Sequence, residues 1–489
     1  MSIFLAFRNI AQSINAVIGD NASRCVALRL ADADSERRLS PVVLLVVVFV
    51  VFWQLPSRAQ SDGAPKLDHQ TSAGKPLDYL STTSAEIGNP NESQPSTSAS
   101  PPTAAPQADT TKTSPENTFN VFGFVMLDSG YNFEQIDPNW FDVMRPTKLP
   151  SHADEFAPSG TDFFGVRQTR FGVKTTNKTT LGELKTFFDF DMFGVGVDAG
   201  QTTIRLRHAY GELGQFGAGQ TESPFMDLDV FPNILDYWGP NGMVFFRNVQ
   251  FRWMPIRGNN SLTFGVERPG ASADGGVYAD RVELQGIKPK FDVPDFSAQA
   301  RFTRKWGYVQ LAGIFRKISW VDLNKTPTFD LSGTAYGWGV SVSSNLKLGQ
   351  KTTGKFQVIY GDGVENYMND APIDIGVQNN FSNPKTPIKG VALPLLGVVA
   401  YFDHNWSKRF TSSAGYSLVN ISNSNAQLPS DFHQGHYASA NILFNPIPKV
   451  MVGGEFQFGR RVNFSDGFNV NDYKLQISFK YDFGKVFAY

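Results

Sequence analysis

The chain has 489 residues, enough for more than one domain. Apolar residues make up 41% and charged residues only 18%, below the roughly 25% usual in soluble domains. A net charge of -1 excludes the broad positive field of a nucleic-acid binder, and the single cysteine, Cys25, excludes a disulfide framework or a Cys-ligated metal site.

The first element in chain order is an apolar run at 41–55 (PVVLLVVVFVVFWQL). Glu36-Arg37-Arg38 precede it and the small-x-small triplet Ser57-Arg58-Ala59 follows. Charged flank, apolar stretch and small-residue site together predict a secretory signal peptide over 1–59, cleaved after Ala59. A membrane anchor is the alternative, but 15 residues fall short of the roughly 20 that a spanning helix needs. The 40 residues ahead of the run are long for a charged leader, so the true start is expected downstream at a non-Met codon. Cys25 precedes the run and therefore cannot serve as a lipoprotein anchor.

Residues 60–118 change character, with a single aromatic, Tyr79, and strings such as STTSAEIGNPNESQPSTSASPPTAAPQ. Such a Ser/Thr/Pro-rich segment has too little apolar surface to fold, which predicts a disordered periplasmic linker.

From Phe119 onward the composition is aromatic: all but four of the 42 Phe lie there. Short alternating segments, divided by Gly, Pro, Asn and Asp, predict strands near 119–129, 164–175, 183–193, 203–213, 216–222 and 246–253. Others follow near 262–268, 297–304, 308–320, 336–347, 355–361, 395–402, 410–420, 437–444 and 450–460. The closing one, 474–489, sends Leu475, Ile477, Phe479, Tyr481 and Phe483 to one face and Lys474, Gln476, Ser478, Lys480 and Asp482 to the other. Sixteen strands with polar turns predict an all-β, antiparallel transmembrane barrel wide enough for an aqueous channel.

The alternation has a consistent sense. Val249, Phe251 and Trp253 alternate with Asn248, Gln250 and Arg252, and Phe171 and Val173 alternate with Arg170, Gly172 and Lys174. A charge on the lipid face costs about 2–4 kcal/mol at midplane, so the basic residues are expected to face the lumen. In 310–320, Ile314 interrupts the otherwise polar row of Gln310, Ala312 and Arg316. Trp253, Trp306, Trp320, Trp338, Trp406 and Tyr489 are candidates for the aromatic girdles at the two membrane interfaces.

Four stretches in order carry a family signature: VRQTRFGVKTT (166–176), GELKTFFDFDMFG (182–194), RLRHAYGELGQFGAGQTESPFMD (205–227) and WGYVQLAGIFRKI (306–318). They resemble the DcaP-type outer-membrane porins of Gram-negative bacteria, over 119–489. The resemblance implies a homotrimer of 16-stranded barrels in outer-membrane lipid. Each barrel would be a passive diffusion channel for small hydrophilic solutes, with a preference for small anionic ones such as dicarboxylates. Members of that family can carry a helical, coiled-coil-prone N-terminal segment; residues 60–118 lack heptads, so no such stalk is carried over. The terminal Phe487 and Tyr489 resemble the assembly signal read by the barrel-insertion machinery.

The stretch SPFMDLDVFPNILDYWGPNGM (223–243) is too long for a hairpin turn. By resemblance to trimeric porins it is the third loop, folded inward as a constriction with Phe225, Asp227, Asp229, Asp236, Tyr237 and Trp238. A surface or subunit-contact loop is the alternative. Facing it, a ladder of Arg170, Lys174, Arg205, Arg207, Arg252, Arg301 and Arg316 is the expected pore-lining selectivity set, since cations in a narrow opening favour anions. The bland alternative gives these residues a scaffold role against wall carboxylates. Asp227, Asp229 and Asp236 would oppose anion passage if they faced the eyelet.

An outer-membrane hydrolase or an adhesin without an open channel is the competing class. No GxSxG, HExxH, P-loop or dinucleotide fingerprint occurs, His208 lacks a serine at catalytic spacing, and His433 and His436 read as a solvated pair. The expectation is therefore no enzyme, no catalytic residues, no metal and no cofactor.

Overall fold

The computed structural model describes residues 117–489. The signal segment expected over 1–59 and nearly all of the linker expected over 60–118 fall outside them. In chain order the strands begin with β1 (Asn117–Asn132), β2 (Thr161–Gly165), β3 (Arg170–Thr179), β4 (Gly182–Phe193) and β5 (Thr202–Leu213). Next come β6 (Phe216–Glu222), β7 (Arg247–Ile256), β8 (Ser261–Glu267), β9 (Ile287–Lys290) and β10 (Asp295–Arg304). Then follow β11 (Gly307–Asp322), β12 (Gly333–Lys347), β13 (Thr352–Asp362), β14 (Ile375–Asn379) and β15 (Ile388–Ala392). The last five are β16 (Pro394–Asn405), β17 (Phe410–Ile421), β18 (Phe432–Phe444), β19 (Val450–Asn463) and β20 (Asn469–Ala488).

Sixteen of these close into an antiparallel barrel, with β2, β9 and the β14–β15 hairpin left as additions on the loops. Closure is made by β1, which pairs with β20 from Thr118 opposite Ala488 to Asn132 opposite Lys474, and with β3 on its other edge. One rim carries tight turns such as 180–181, 214–215 and 305–306. The other carries long loops, the longest at 133–169, 223–246, 268–294 and 363–393.

The faces are arranged opposite to those of a soluble protein. Val249, Phe251, Trp253, Leu311, Phe315 and Val340 are exposed, while Asn248, Gln250, Gln310, Ser341, Gln357 and Gln476 are buried. An outward apolar band of this extent is stable only against hydrocarbon. No helix among the described residues is long and apolar enough to cross a membrane. The outward apolar band is carried by the strands, whose backbone groups pair around a closed ring.

Three local expectations need correction. The strand expected over 164–175 is two elements, because Val166–Thr169 make a turn, the Thr169 N–H donating to the Val166 carbonyl at 2.9 Å. Arg167 enforces it, donating to Asp142 at 2.5 Å and to the Gly194 carbonyl at 2.9 Å, which ties two long loops together. Trp320 is not a girdle residue. It shares parity with Arg316, is buried, and donates its indole N–H to the Leu331 carbonyl at 2.8 Å inside the loop layer. Trp253, Trp306, Trp338, Trp406 and Tyr489 are exposed. Finally, His433 and His436 lie at the start of β18, where His436 bonds Tyr416 at 2.5 Å and Gln434 at 3.0 Å, and His433 bonds Asn423 at 2.9 Å.

Candidate functional site

The loop 223–246 runs into the barrel. Phe225, Asp227, Asp236, Tyr237 and Trp238 are all buried there, and Asp229 is partly open. An irregular segment inside a barrel has backbone groups to satisfy, and side chains of the inner wall do so. Glu455 on β19 accepts from the Leu235 and Asp236 N–H groups at 2.7 and 2.9 Å. Ser417 on β17 accepts from Gly242 at 2.8 Å, and Gln357 on β13 from Val244 at 3.1 Å. Phe225, Met226, Val230, Phe231 and Ile234 pack with Ala312, Ile314, Ile359, Val399, Val419 and Tyr437 of the wall in one apolar cluster. This is why Ile314 interrupts a polar row: its inward position is covered by the loop rather than by water.

The loop's other anchor is ionic. On β5 a bulge opposite Asp189 and Phe190 of β4 turns both Arg207 and His208 inward, where strict alternation would separate them. Arg205 grips Asp191 through two nitrogens at 3.0 and 2.6 Å, and Arg207 reaches Asp189 at 3.1 Å and Asp191 at 3.2 Å. The Tyr237 hydroxyl of the loop closes the knot, accepting from Arg205 at 2.6 Å and donating to Asp191. His208 stacks on Phe187 at 4.1 Å and bonds Asp189 at 2.6 Å through Nδ1 and Glu222 through Nε2. Both ring nitrogens are committed to carboxylates, leaving neither to activate a nucleophile.

The three loop carboxylates are held in different ways. Asp227 accepts from Arg301 and Ser343 at 2.5 Å each and from Tyr308 at 2.7 Å. Asp236 accepts from the Met144 and Trp238 N–H groups, both at 3.3 Å, and burial pushes its carboxyl up to about 6. Asp229 is ion-paired with Arg301. Trp238 is wedged edge-on against Trp140 at 4.7 Å, under the Arg145 guanidinium at 4.4 Å.

The basic ladder therefore divides. Arg207 and Arg316 have 0% exposed surface, so neither has area to offer a passing solute. Arg316 is bonded to Asp295 at 3.0 Å, Asp374 at 2.9 Å and the Gly363 carbonyl at 2.6 Å. Arg205 is held as described, and Arg170 is buried with its guanidinium 5.3 Å from the Phe124 ring. Arg301 is partly open but committed to the loop acids.

Lys174 and Arg252 differ. Lys174 is exposed and contacts the rings of Phe122 at 4.9 Å and Phe187 at 4.2 Å. Arg252 is half-buried, hydrogen-bonds Gln250 at 2.9 Å and the Glu222 carbonyl, and lies 5.1 Å from the Tyr210 ring. Neither makes an ion pair among the described residues, whereas several other lumenal charges come in pairs: Asp403 with Lys355 at 3.2 Å, Asp482 with Lys480 at 3.1 Å, Glu183 with Lys185 at 2.8 Å.

The two cations belong to one shelf. Lys174 stands directly opposite Phe187, Phe187 opposite Tyr210, and the Tyr210 ring lies across Gly217, the residue opposite Arg252. Any side chain at Gly217 would collide with that hydroxyl. The order along the wall is cation, ring, ring, cation. Sequence reasoning placed Lys174 and Arg252 but not the rings between them. The parity that Phe187 shares with Asp189 and Asp191 was the available signal, whereas Tyr210 turns inward only through the β5 bulge. The wall acids Asp189, Asp191 and Glu455 were likewise missed.

At the closing seam Phe487 faces Phe119, ring centroids 6.3 Å apart, and the Tyr489 hydroxyl donates to Asn177 at 2.5 Å.

The family model described as DcaP outer membrane protein matches residues 103–483, well over half of the chain. Among solved structures the chain is similar to the outer membrane channel DcaP of Acinetobacter baumannii, with a TM-score of 0.62 and 19% identity over 75% of this chain and 97% of that one. It is also similar, at a TM-score of 0.48 and 10% identity over 75% and 100% of the two chains, to an anion-selective porin from Comamonas acidovorans. OmpT of Vibrio cholerae gives 0.46 and 11% over 76% and 99%. No curated protein sequence matches the chain. By family and by fold, this chain belongs to the DcaP outer membrane protein family and is an outer-membrane channel of the bacterial cell.

Proposed function

We propose that the channel passes small hydrophilic solutes passively and prefers anions, dicarboxylates in particular. The observation that carries this reading is the shelf of Lys174, Phe187, Tyr210 and Arg252, whose two cations make no ion pair among the described residues. An uncompensated positive pair in a narrow opening lowers the barrier for anions and raises it for cations. Two cations flanking an apolar stretch suit a solute with a charge at each end and carbon between, and the Arg252 fork matches a carboxylate. Of the loop acids, Asp227 and Asp229 share the single charge of Arg301, and Asp236 is held by backbone N–H groups with its carboxyl pushed up by burial. In this reading Arg205, Arg207 and Arg316 hold the loop and wall in shape, and Arg170 lines the wall beside them. The working unit is a homotrimer, exported by a signal peptide over 1–59 and tethered by the segment 60–118. Phe487 and Tyr489 present the final strand to the barrel-insertion machinery.

The test is planar-bilayer recording of the purified protein. Wild type should conduct in triplet steps with an anion-biased reversal potential, and succinate should reduce the chloride current. The double variant Lys174→Gln, Arg252→Gln should move the reversal potential toward cations and abolish the succinate effect. An unchanged reversal potential removes the shelf from the selectivity set. A silent barrel returns the hydrolase and adhesin readings.

A further inference from the structure

The outer wall carries one feature that solute passage does not use. On β11 the residues facing away from the lumen run Leu311, Gly313, Phe315, Lys317, Ser319, Val321, with Arg316, Ile318 and Trp320 turned inward and buried. The short strand β9 extends this surface beside the end of β11, placing Lys290 opposite Ser319 and Lys288 opposite Val321. Lys317 stands opposite Tyr336 of β12. Strand alternation puts all three lysines on the outward face. They sit at the long-loop rim, directly beyond an apolar patch of Phe296, Phe315, Tyr336 and Trp338, all exposed.

The charges that meet this cluster do not balance it. Asp292 bridges Lys317 at 3.0 Å and Lys290 at 3.4 Å, one carboxylate between two ammoniums. Lys288 is exposed and makes no ion pair among the described residues. Asp362, two strands away on β13, is taken by the Trp338 indole N–H at 3.0 Å, and Glu283 is paired with Arg281. A surplus of positive charge just past the end of an aromatic band fits an anionic headgroup whose acyl chains lie on the rings below it. Long loops mark the outer leaflet side of such barrels, and there the available anions are phosphates on a glycolipid.

We propose that Lys288, Lys290 and Lys317 form a docking site for the phosphorylated headgroup of an outer-leaflet glycolipid, with the chains laid over Phe296, Phe315 and Trp338. The site rests on the outer-membrane location and not on solute preference, so either can fail alone.

The experiment is native mass spectrometry and thermal unfolding of the full chain in detergent with added bisphosphorylated lipid A. Wild type should retain the lipid and unfold at a higher temperature. Each Lys→Gln change should weaken lipid binding about fivefold, and the triple variant should lose the thermal shift. Asp292→Asn, which removes the competing carboxylate, should bind more lipid than wild type, and this variant decides the matter if the triple variant does not insert. Equal shifts for wild type and triple variant, or equal retention of a dephosphorylated analogue, overturn the proposal. A shift reproduced by inorganic phosphate would make this a soluble-anion site, and dissociation of the assembly by the triple variant would make it a contact between copies of the chain; both also overturn it.

Discussion

The inner wall of the barrel has two regions built on the same period of two. On β3 to β7 the inward positions include Arg170, Lys174, Asp189, Asp191, Arg205, Arg207, Glu222 and Arg252; on β11 to β18 they include Ala312, Ile314, Ile359, Val399, Val419 and Tyr437. The apolar side is where the folded-in loop docks and excludes water. The charged side divides again, into a dry part where Arg205 and Arg207 are matched to Asp189 and Asp191 and a wet part where Lys174 and Arg252 make no ion pair among the described residues. An inward position in a channel therefore reports what covers it, and a basic residue is a candidate for selectivity only where nothing does.

Breaking the dry ionic knot should have the largest effect. Arg207→Ala leaves Asp189 and Asp191 buried together without their shared partner, and loss of one member of such a set costs about 3–5 kcal/mol. Urea or heat unfolding should show it as a sharply lowered midpoint. On the apolar side, Gly242→Ala drives a Cβ into the Leu418 carbonyl where the loop crosses the wall, and overpacking of this kind costs about 1–3 kcal/mol. Its signature should be a larger single-channel conductance along with the lower midpoint, because the displaced loop unblocks the lumen. The wet part should respond in the opposite manner: Lys174→Gln with Arg252→Gln changes ion selectivity while stability stays within about 0.5 kcal/mol. A large drop in midpoint for that pair would erase the distinction between matched and unmatched cations.

The buried loop acid Asp236 adds a dependence on pH. Burial holds its folded-state pKa at about 6, above the ordinary 3.8, against the pull of Lys474 and two backbone N–H groups. A carboxyl that keeps its proton more tightly when folded lowers stability as pH rises from about 4 to about 6. Asp236→Asn keeps an oxygen for the Met144 and Trp238 N–H groups, so its unfolding midpoint should exceed wild type at pH 7 and match it at pH 4.

The barrel was legible in the sequence because alternation survives single exceptions, and strands such as β6 fall where the pattern puts them. Strand β2 was fused to β3 because the turn at 166–169 contains no Gly or Pro; it is imposed by Arg167 reaching Asp142 and the Gly194 carbonyl, each more than twenty positions away. Trp320 was misplaced because one aromatic at a strand end looks the same on either face until the loop layer above it is known. The loop stood out by its length, and its inward course was expected only from the resemblance to trimeric porins; the grip of Glu455, Ser417 and Gln357 on its backbone depends on contacts across more than a hundred positions. The partition of the arginines was illegible for the same reason: whether Asp191 or water meets Arg205 is settled by the β5 bulge, which no local propensity announces.

The seam between β1 and β20 has a consequence for how the molecule is made. Thr118 must find Ala488, 370 positions later, before the cylinder has no open side, and until then both margins expose unsatisfied amide groups to whatever strand comes near. Ribosomal synthesis alone therefore cannot seal it. The whole length of the cylinder stays open until both ends are in place, so defects in the last twenty residues should leave unsealed chains rather than leaky pores.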